Sequence, residues 1–225
     1  MASHKMKRNA AREKLNQAVL YGILDMGYVD EHRLMETAKG LLSGGVGVLQ
    51  LRAKGYDAES VLDLVQRAAP DLLDLCHQWE VPLIINDFPE VAVALEADGV
   101  HIGQDDGSLV DVRAEVGEDM IVGRSTHSPS QAAAAFDEGF DYIGFGPLFP
   151  TPTKQGRPGI GLDDIAEVQK GVGEHIPVFC IGGIKTGNLE LVLASGACRV
   201  VIVSALLQAD DISAATHEMV TRLKR

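Results

Sequence analysis

Two cations and an amide occur at every second residue where one apolar run of the chain ends. In the segment VGVLQLRAK, the side chains of Gln50, Arg52 and Lys54 would point to one side of an extended backbone. Arginine offers a planar fork for phosphate oxygens and lysine a mobile point charge, so the pair suits a diphosphate. The alternative is that both are surface cations that serve solubility, which their shared strand end and the adjacent Gln50 make less attractive.

Two carboxylates end neighbouring apolar runs. Asp87 follows VPLIIN, and Asp106 follows GVHIGQ with Asp105 as its local competitor. Hard oxygen ligands beside a diphosphate suit Mg²⁺, which keeps several waters and takes one or two carboxylates. The alternative is that each aspartate caps a helix.

Glycine and proline mark two further places where chemistry could occur. Residues 146–161 read GPLFPTPTKQGRPGIG, which is neither a helix nor a central strand and carries Thr151, Thr153 and Lys154. We predict that its prolines stiffen the first half and that its glycines let the second half move as a flap. The pair Gly182-Gly183, with Val203-Ser204 at the end of the last apolar run, indicates a phosphate site built from backbone N–H groups.

No arrangement of a nucleophile and a base stands out. Ser125 and His127 are two residues apart at one strand end, and no third member is evident, which argues against a hydrolase triad. A strand-end histidine with a local hydrogen bond is the simple explanation of His127. The inventory fits a reaction in which a diphosphate leaves and the protein mainly positions charge.

Composition excludes several classes of protein. Apolar residues make up 46% of 225 residues, which supports a large core, and no run of eighteen apolar residues predicts a membrane span. The net charge of −12 argues against nucleic-acid and anionic-membrane partners, which require a basic surface. Three cysteines without a CxxC pair, and a polar N-terminus without a signal peptide, indicate a cytoplasmic protein with buried free thiols.

The elements that must position these residues repeat along the chain. Eight apolar runs rich in Val, Ile and Leu read as strands buried on both faces: residues 18–24, 46–52, 81–87, 99–104, 120–125, 142–146, 177–183 and 199–205. Amphipathic helices lie between them, one of which begins at Ser128-Pro129, while Pro70 kinks or splits the longest. The pattern predicts an α/β fold, a single-domain (β/α)8 TIM barrel with its active site at the carboxyl ends of the strands. An open doubly wound sheet is the alternative, although no GxGxxG turn follows the first strand.

The chain shows no internal linker or shift in composition. We therefore expect one catalytic domain over residues 17–225, preceded by a flexible leader over residues 1–16. The sequence leaves a homo-oligomer open.

Seven segments follow one another in an order typical of a known family: QLRAK (50–54), IIND (84–87), ADGVHIGQDD (97–106), GRSTH (123–127), DYIGFGPLFPTPTK (141–154), CIGGI (180–184) and VVIVSAL (200–206). Together they resemble thiamine phosphate synthase, and the resemblance runs from about residue 17 to residue 208. It implies a Mg²⁺-dependent coupling of two phosphorylated small molecules, hydroxymethylpyrimidine diphosphate and hydroxyethylthiazole phosphate. In that family diphosphate departs first, and the thiazole nitrogen captures the resulting cation.

The resemblance also implies roles for matching positions. Asp87 and Asp106 would hold Mg²⁺, while Ser125 and Lys154 would contact the diphosphate as the catalytic pair. The pyrimidine diphosphate would be held by Gln50, Leu51, Arg52, Ala53, Lys54 and Asn86. The thiazole phosphate would be held by Thr151, Pro152, Thr153, Gly183, Val203 and Ser204.

Two other functions remain open from the sequence. A thiazole tautomerase of the same superfamily resembles the chain in GRSTHS, where His127 would act as acid and base, but it characteristically lacks the two aspartates and the full PTPTK segment. A non-catalytic sensor of thiamine precursors would be expected to have lost a metal ligand or Lys154, and neither is lost.

Overall fold

Eight parallel strands close into a barrel in the order in which they occur along the chain. The computed structural model describes the backbone of residues 2–150 and 158–225, with side chains from residue 10 onward. The strands are β1 (Leu20–Asp25), β2 (Val48–Arg52), β3 (Leu83–Asn86), β4 (Gly99–Ile102), β5 (Ile121–Thr126), β6 (Tyr142–Phe145), β7 (Val178–Ile181) and β8 (Val200–Ile202). The ring closes through β1, which pairs with both β2 and β8, so the predicted barrel is confirmed and the open sheet is excluded.

One helix precedes the first strand, and the others follow the strands on the outside of the barrel. They are α1 (Ala2–Gln17), α2 (Leu34–Gly44), α3 (Ala58–Ala68), α4 (Leu72–Gln78), α5 (Pro89–Ala94), α6 (Leu109–Val116), α7 (Pro129–Glu138), α8 (Ile165–Gly171), α9 (Leu189–Ala194), α10 (Ser204–Leu207) and α11 (Ile212–Leu223). A 3-10 turn (Glu31–Arg33) precedes α2. None of the described helices combines the length and the apolar character needed to cross a bilayer.

Two predicted helix signals are confirmed, the start at Ser128-Pro129 and the break at Pro70. Helix α7 has Ser128 as its N-cap, with proline at the first position, and it ends at Gly139 in the left-handed region at φ 96°. The Gln131 side chain accepts from the backbone N–H of His127 instead of that of the cap residue, one position further back than a capping box requires. The long helix is split at Pro70 into α3 and α4, as predicted.

Strand alternation divides the buried residues into an outer and an inner core. The outer core lies between the strands and the helices, while the inner core fills the barrel. The inner core consists of Ala11, Leu15, Ala18, Tyr21, Ile23, Val48, Ile84, Ile121, Tyr142, Phe179 and Val201. Interior-facing side chains therefore sit two residues apart on each strand, and this parity decides which residues can reach a ligand.

The N-terminal segment differs from the flexible leader that its polar composition predicts. It forms α1, and Leu15 of this helix is 1% exposed within the inner core. Arg12 donates to Asp141 at 3.0 Å and to the backbone oxygen of Asp119 at 2.8 Å, so the helix is fastened below the barrel. A few apolar residues on one face were enough to close the amino-terminal end of the barrel, and the leader prediction is wrong for residues 10–16.

The three cysteines are free, as expected, but they are not all buried. Cys76 and Cys180 are buried and burial raises the pKa of each thiol to about 12, so both stay protonated. Cys198 is exposed, which corrects the expectation of three buried thiols.

Helices α2 and α11 pack closely through small residues. A Cβ atom at Gly44 would collide with the Thr216 side chain, so glycine is needed for this approach. Thr216 is fully buried, and its hydroxyl has no hydrogen-bond partner within the described residues. A buried hydroxyl without a partner costs free energy of folding.

We expect Thr216→Val to raise the free energy of unfolding by about 1 kcal/mol, since a methyl group replaces an unsatisfied hydroxyl of similar shape. Thr126→Val is the matched control, because Thr126 is equally buried but its hydroxyl donates to the backbone oxygen of Gly144 at 3.1 Å. That variant should be destabilised by a similar amount. Urea unfolding of both variants checks the prediction, which fails if both change in the same direction.

Candidate active site

A cavity of about 570 Å³ opens at the carboxyl ends of the strands, and all eight strands contribute to its lining. This is the end at which (β/α)8 barrels carry their chemistry. The predicted site residues that the structure brings together in this cavity are Gln50, Arg52, Lys54, Asn86, Asp87, Asp106, Ser125, Gly183, Val203 and Ser204.

The cationic group lies at the end of β2. Arg52 and Lys54 are the two lysine or arginine side chains among the described residues of the lining. Arg52 donates through Nη1 to Asp25 Oδ2 at 2.6 Å, and Asp25 is 1% exposed. The buried carboxylate fixes the guanidinium and leaves further N–H groups of Arg52 for an anion. Asp25 was not anticipated from the sequence, although it ends β1 directly beside Arg52.

Leu51 and Ala53 lie on the other face of β2. Both side chains are buried in the outer core, 1% and 5% exposed, and neither lines the cavity. The alternation that turns Gln50, Arg52 and Lys54 inward turns these two outward. If Leu51 and Ala53 contact the substrate, they can therefore do so only through their backbone atoms.

The two predicted metal ligands lie within electrostatic reach of each other. Burial raises the pKa of Asp87, the Lys54 ammonium opposes that rise, and the Asp106 carboxylate adds to it. The Lys54 Nζ atom lies 3.3 Å from Asp87 Oδ2, and Asp106 Oδ2 accepts from the backbone N–H of Gly103 at 2.7 Å. Two mutually repelling carboxylates at a cavity mouth suit a divalent cation, so the residues present fit Mg²⁺.

A larger metal cluster is not seen in the part of the chain that the structure describes, where no three His, Cys, Asp or Glu side chains are gathered to hold an ion. Mg²⁺ bound here would take its remaining ligands from water and substrate oxygens, as it usually does. Asp87 also has a φ of 68°, a left-handed conformation that aspartate and asparagine tolerate better than most residues. Asparagine is therefore the substitution to use at this position.

The raised pKa of Asp87 makes a prediction about stability and pH. Folding favours the protonated form, so Asp87 contributes fully to stability below the ordinary aspartate pKa of about 3.9 and this contribution is lost as pH rises through the raised value. In metal-free buffer, Asp87→Asn should raise the melting temperature at neutral pH, and the gain should shrink on acidification.

Asp111 is the matched control for this measurement. Its side chain accepts from Ser108 in the capping box of α6, which lowers the pKa of its carboxyl group. Asp111 therefore stabilises above its ordinary pKa, so Asp111→Asn should lower the neutral-pH melting temperature by an amount that also shrinks on acidification. Calorimetry across the acid range checks both signs, and a gain for Asp87→Asn that does not depend on pH would contradict the prediction.

The glycine pair after β7 packs against the chain that leaves β6. Gly183 has a φ of 66°, and a Cβ atom there would lie 2.8 Å from the Phe149 Cβ atom. The Asn188 side chain donates to the Gly183 backbone oxygen at 3.0 Å and accepts from the Lys185 N–H at 2.8 Å. Bare backbone at this position lines the cavity beside Val203 and Ser204, which suits the phosphate role inferred from the sequence.

The remaining predicted residues, Thr151, Pro152, Thr153 and Lys154, lie outside the described residues, as does the first part of the predicted flap. Both flanks of this stretch are described. Leu148 and Phe149 donate to the backbone oxygens of Ile181 and Gly182, while Ile160 and Gly161 donate to those of Pro147 and Leu148. The chain thus leaves and returns at one place beside the end of β7, at the cavity rim.

Three interior residues of the site, Tyr21, His101 and Tyr142, were missed by reading strand ends alone. A hydrogen-bonded chain crosses the cavity floor from Gln50 Nε2 to Tyr21 (2.8 Å), Tyr142 (2.9 Å), His101 (3.0 Å) and finally Ser125 Oγ (3.0 Å). Gln104 adds a bond from its side-chain amide to the Ser125 backbone oxygen at 2.6 Å. Strand parity would have found all three, since Tyr21 precedes Asp25 by four residues and His101 and Tyr142 face inward on β4 and β6.

His127 lines the cavity, and its Nδ1 atom is in hydrogen-bonding contact with the Gly146 backbone oxygen. This is the local bond expected of a strand-end histidine. Ser125 is bonded to His101 instead, so the structure does not join Ser125 and His127 into a nucleophile and base.

Fold and site together define a (β/α)8-barrel enzyme whose cavity suits anionic, phosphorylated ligands. The family model described as thiamine monophosphate synthase matches residues 20–206. Thiamine-phosphate synthase from Thermus thermophilus is 43% identical over 189 residues, covering 84% of this chain and 88% of the relative. The same enzyme from Streptomyces avermitilis is 42% identical over 217 residues, covering 96% and 98%. A solved thiamine phosphate pyrophosphorylase from Pyrococcus furiosus superposes with a TM-score of 0.80 at 30% identity, covering 95% and 97%.

The chain belongs to the thiamine phosphate synthase family. It is a transferase of thiamine biosynthesis.

Proposed function

We propose that this transferase couples hydroxymethylpyrimidine diphosphate to hydroxyethylthiazole phosphate in a Mg²⁺-dependent reaction that yields thiamine phosphate and diphosphate. The observation that carries the proposal is the juxtaposition at one rim of Arg52 and Lys54 with Asp87 and Asp106, where Lys54 lies 3.3 Å from Asp87. Cations that can grip a diphosphate therefore adjoin carboxylates that can hold its counter-ion.

The cations must act against the charge of the whole protein. The chain carries a formal net charge of −12, which repels anionic substrates at long range. Arg52 is 13% exposed on its side chain and is held by Asp25, so its guanidinium is oriented before substrate arrives. Lys54 is 68% exposed and can follow the leaving group. A fixed fork and a mobile point charge together suit a diphosphate that departs.

The cavity supports a dissociative reaction. In the proposed mechanism the bond from the pyrimidine methylene to the diphosphate breaks first, and the thiazole nitrogen then attacks the resulting cation. Arg52, Lys54, Ser125 and Lys154 would stabilise negative charge on the leaving diphosphate, while Gly183, Val203, Ser204 and residues 151–153 would place the thiazole phosphate. Charge stabilisation of this kind needs no base or nucleophile, in keeping with the absence of a bond between Ser125 and His127 among those described.

Asp87 and Asp106 would hold the Mg²⁺ ion. Such an ion supplies Lewis-acid neutralisation of the diphosphate. Asn86 is the last residue of β3 and lines the cavity next to Asp87, so its amide can orient the pyrimidine diphosphate beside the two carboxylates.

Purified protein supplied with both substrates tests this proposal. We expect thiamine phosphate and diphosphate to appear in equal amounts, only with the thiazole phosphate present and only with Mg²⁺. Chelation with EDTA should abolish product, and added Mg²⁺ should restore it. Binding of both compounds without product would identify a precursor sensor, and isomerisation of a thiazole without diphosphate release would identify a tautomerase; either result overturns the proposal.

A further inference from the structure

In one direction of the hydrogen-bonded chain on the cavity floor, each hydroxyl both accepts a hydrogen and donates its own. The Gln50 Nε2 atom can only donate, so Tyr21 accepts from it, and in this direction Tyr21 donates its own O–H to Tyr142. Tyr142 has then accepted one hydrogen and directs its own to His101 Nδ1. In the same direction the His101 ring carries its proton on Nε2 and donates to Ser125 Oγ.

The result concerns the last member of the chain. With this direction Ser125 Oγ accepts from His101, and within the described residues it has no other hydrogen-bond partner. Its own O–H hydrogen therefore points away from His101 and into the cavity, where it can only be used to donate. A hydroxyl so oriented suits an anionic leaving group and cannot act as a nucleophile activated by this histidine.

We propose that Tyr21, Tyr142 and His101 are positioning residues that polarise Ser125 as a hydrogen-bond donor toward the departing diphosphate. The identity of the ligand as a diphosphate rests on the function proposed above. The direction of the hydrogen-bonded chain does not depend on that function. Each of the three residues acts through the next, and the last bond is the one that meets the substrate.

Packing holds the chain in place before any ligand binds. A Cβ atom at Gly123 would collide with the Tyr142 ring, so this ring occupies space that only glycine leaves open. The Phe179 ring packs edge-on against Tyr21 and Tyr142 at centroid distances of 5.3 and 5.9 Å. Fixed rings fix the directions of their hydroxyl groups, which is the condition for preorganised electrostatic stabilisation.

Burial keeps both tyrosines in the form that the chain requires. Tyr21 is 2% exposed and Tyr142 is 1% exposed, and burial raises the pKa of each phenol far above its ordinary value. Both are therefore O–H donors under all conditions in which the enzyme is handled.

The tautomer of His101 is the direct test of direction. Nuclear magnetic resonance of the wild-type protein labelled with ¹⁵N-histidine shows which ring nitrogen carries the proton, and the pair of signals that His101→Gln removes identifies His101. We expect the proton on Nε2 and a bare Nδ1. A proton on Nδ1, whether in the other tautomer or in the imidazolium, overturns the proposal. This readout is independent of activity, so it separates a wrong chain direction from a wrong reaction.

A double-mutant cycle tests whether the chain acts through Ser125. Tyr142→Phe should lower kcat about 10- to 100-fold, as loss of an outer residue that orients a functional group does elsewhere, with little change in KM. In the Ser125→Ala background the same substitution should change kcat by less than ~2-fold, since the group it orients is already gone. Losses that multiply in the double variant overturn the proposal.

Thr126→Val is the matched control, because Thr126 is buried and its hydroxyl donates to the Gly144 backbone oxygen, outside the chain. Its effect should multiply with that of Ser125→Ala. If Tyr142→Phe does not fold, Tyr21→Phe takes its place in the cycle with the same expected non-additivity.

Discussion

Lys154→Ala should lower turnover by about 100-fold or more, which is the size of loss that removal of one preorganised charge contact produces. In the proposed reaction the leaving diphosphate gains charge as the carbon–oxygen bond breaks, so a cation near it acts chiefly in the transition state. We therefore expect the loss in kcat, with a smaller change in KM. Steady-state kinetics with both substrates at saturation measures it.

Lys39→Ala is the control for this substitution. Lys39 is exposed on α2, on the outside of the barrel and away from the cavity lining. Its removal changes the net charge by the same amount, so it reports the effect of the overall field alone. Turnover of Lys154→Ala within a few-fold of that of Lys39→Ala would contradict the role given to Lys154.

Asp87→Asn and Asp106→Asn should each raise the Mg²⁺ concentration needed for half-maximal turnover by about 10-fold or more. Each substitution removes one negative charge from the pair of interacting carboxylates. It also replaces one of the two carboxylate ligands that the site offers to the ion. Titration of activity with Mg²⁺ at fixed substrate measures the shift, which should be larger than any change in turnover at saturating metal.

Asp105→Asn provides the comparison within the same turn. Asp105 also lines the cavity, and it precedes Asp106 directly. We expect a smaller shift in its Mg²⁺ requirement than for Asp106→Asn. A larger shift for Asp105→Asn than for Asp106→Asn would assign the second metal ligand to Asp105. An unchanged Mg²⁺ response in both Asp87→Asn and Asp106→Asn would show that Mg²⁺ does not bind at this rim.

Sequence reasoning located the cavity because a (β/α)8 barrel places strand ends together. Arg52 and Lys54, Asp87 and Asp106, and Gly183 with Ser204 come from distant parts of the chain, yet all lie at one rim. The alternation at the end of β2 also specified which side chains face inward. The same alternation predicts that the side chains of Leu51 and Ala53 point away from the cavity. Both side chains lie in the outer core.

The floor of the site escaped prediction for a physical reason. Tyr21, Tyr142 and His101 lie within strands among apolar neighbours, where an aromatic residue usually signals core packing. Their hydroxyl and imidazole groups become a connected chain only when β1, β4 and β6 surround one axis. Helix α1 was missed because its composition is polar, while the burial that fixes it depends on Ala11, Leu15 and one arginine.

The closure of the barrel by α1 limits how substrates can enter the cavity and how products can leave it. With Leu15 and Ala18 packed beneath Tyr21 and Val48, the cavity has a closed bottom and opens at the strand-end rim. Substrates and products must therefore pass through the same opening. In the proposed reaction, the substrate that lies in the deeper part, near Gln50 and Tyr21, would have to bind before the substrate that lies above it. In a cavity with one opening, the depth of each binding position along the barrel axis thus sets the order in which the substrates bind.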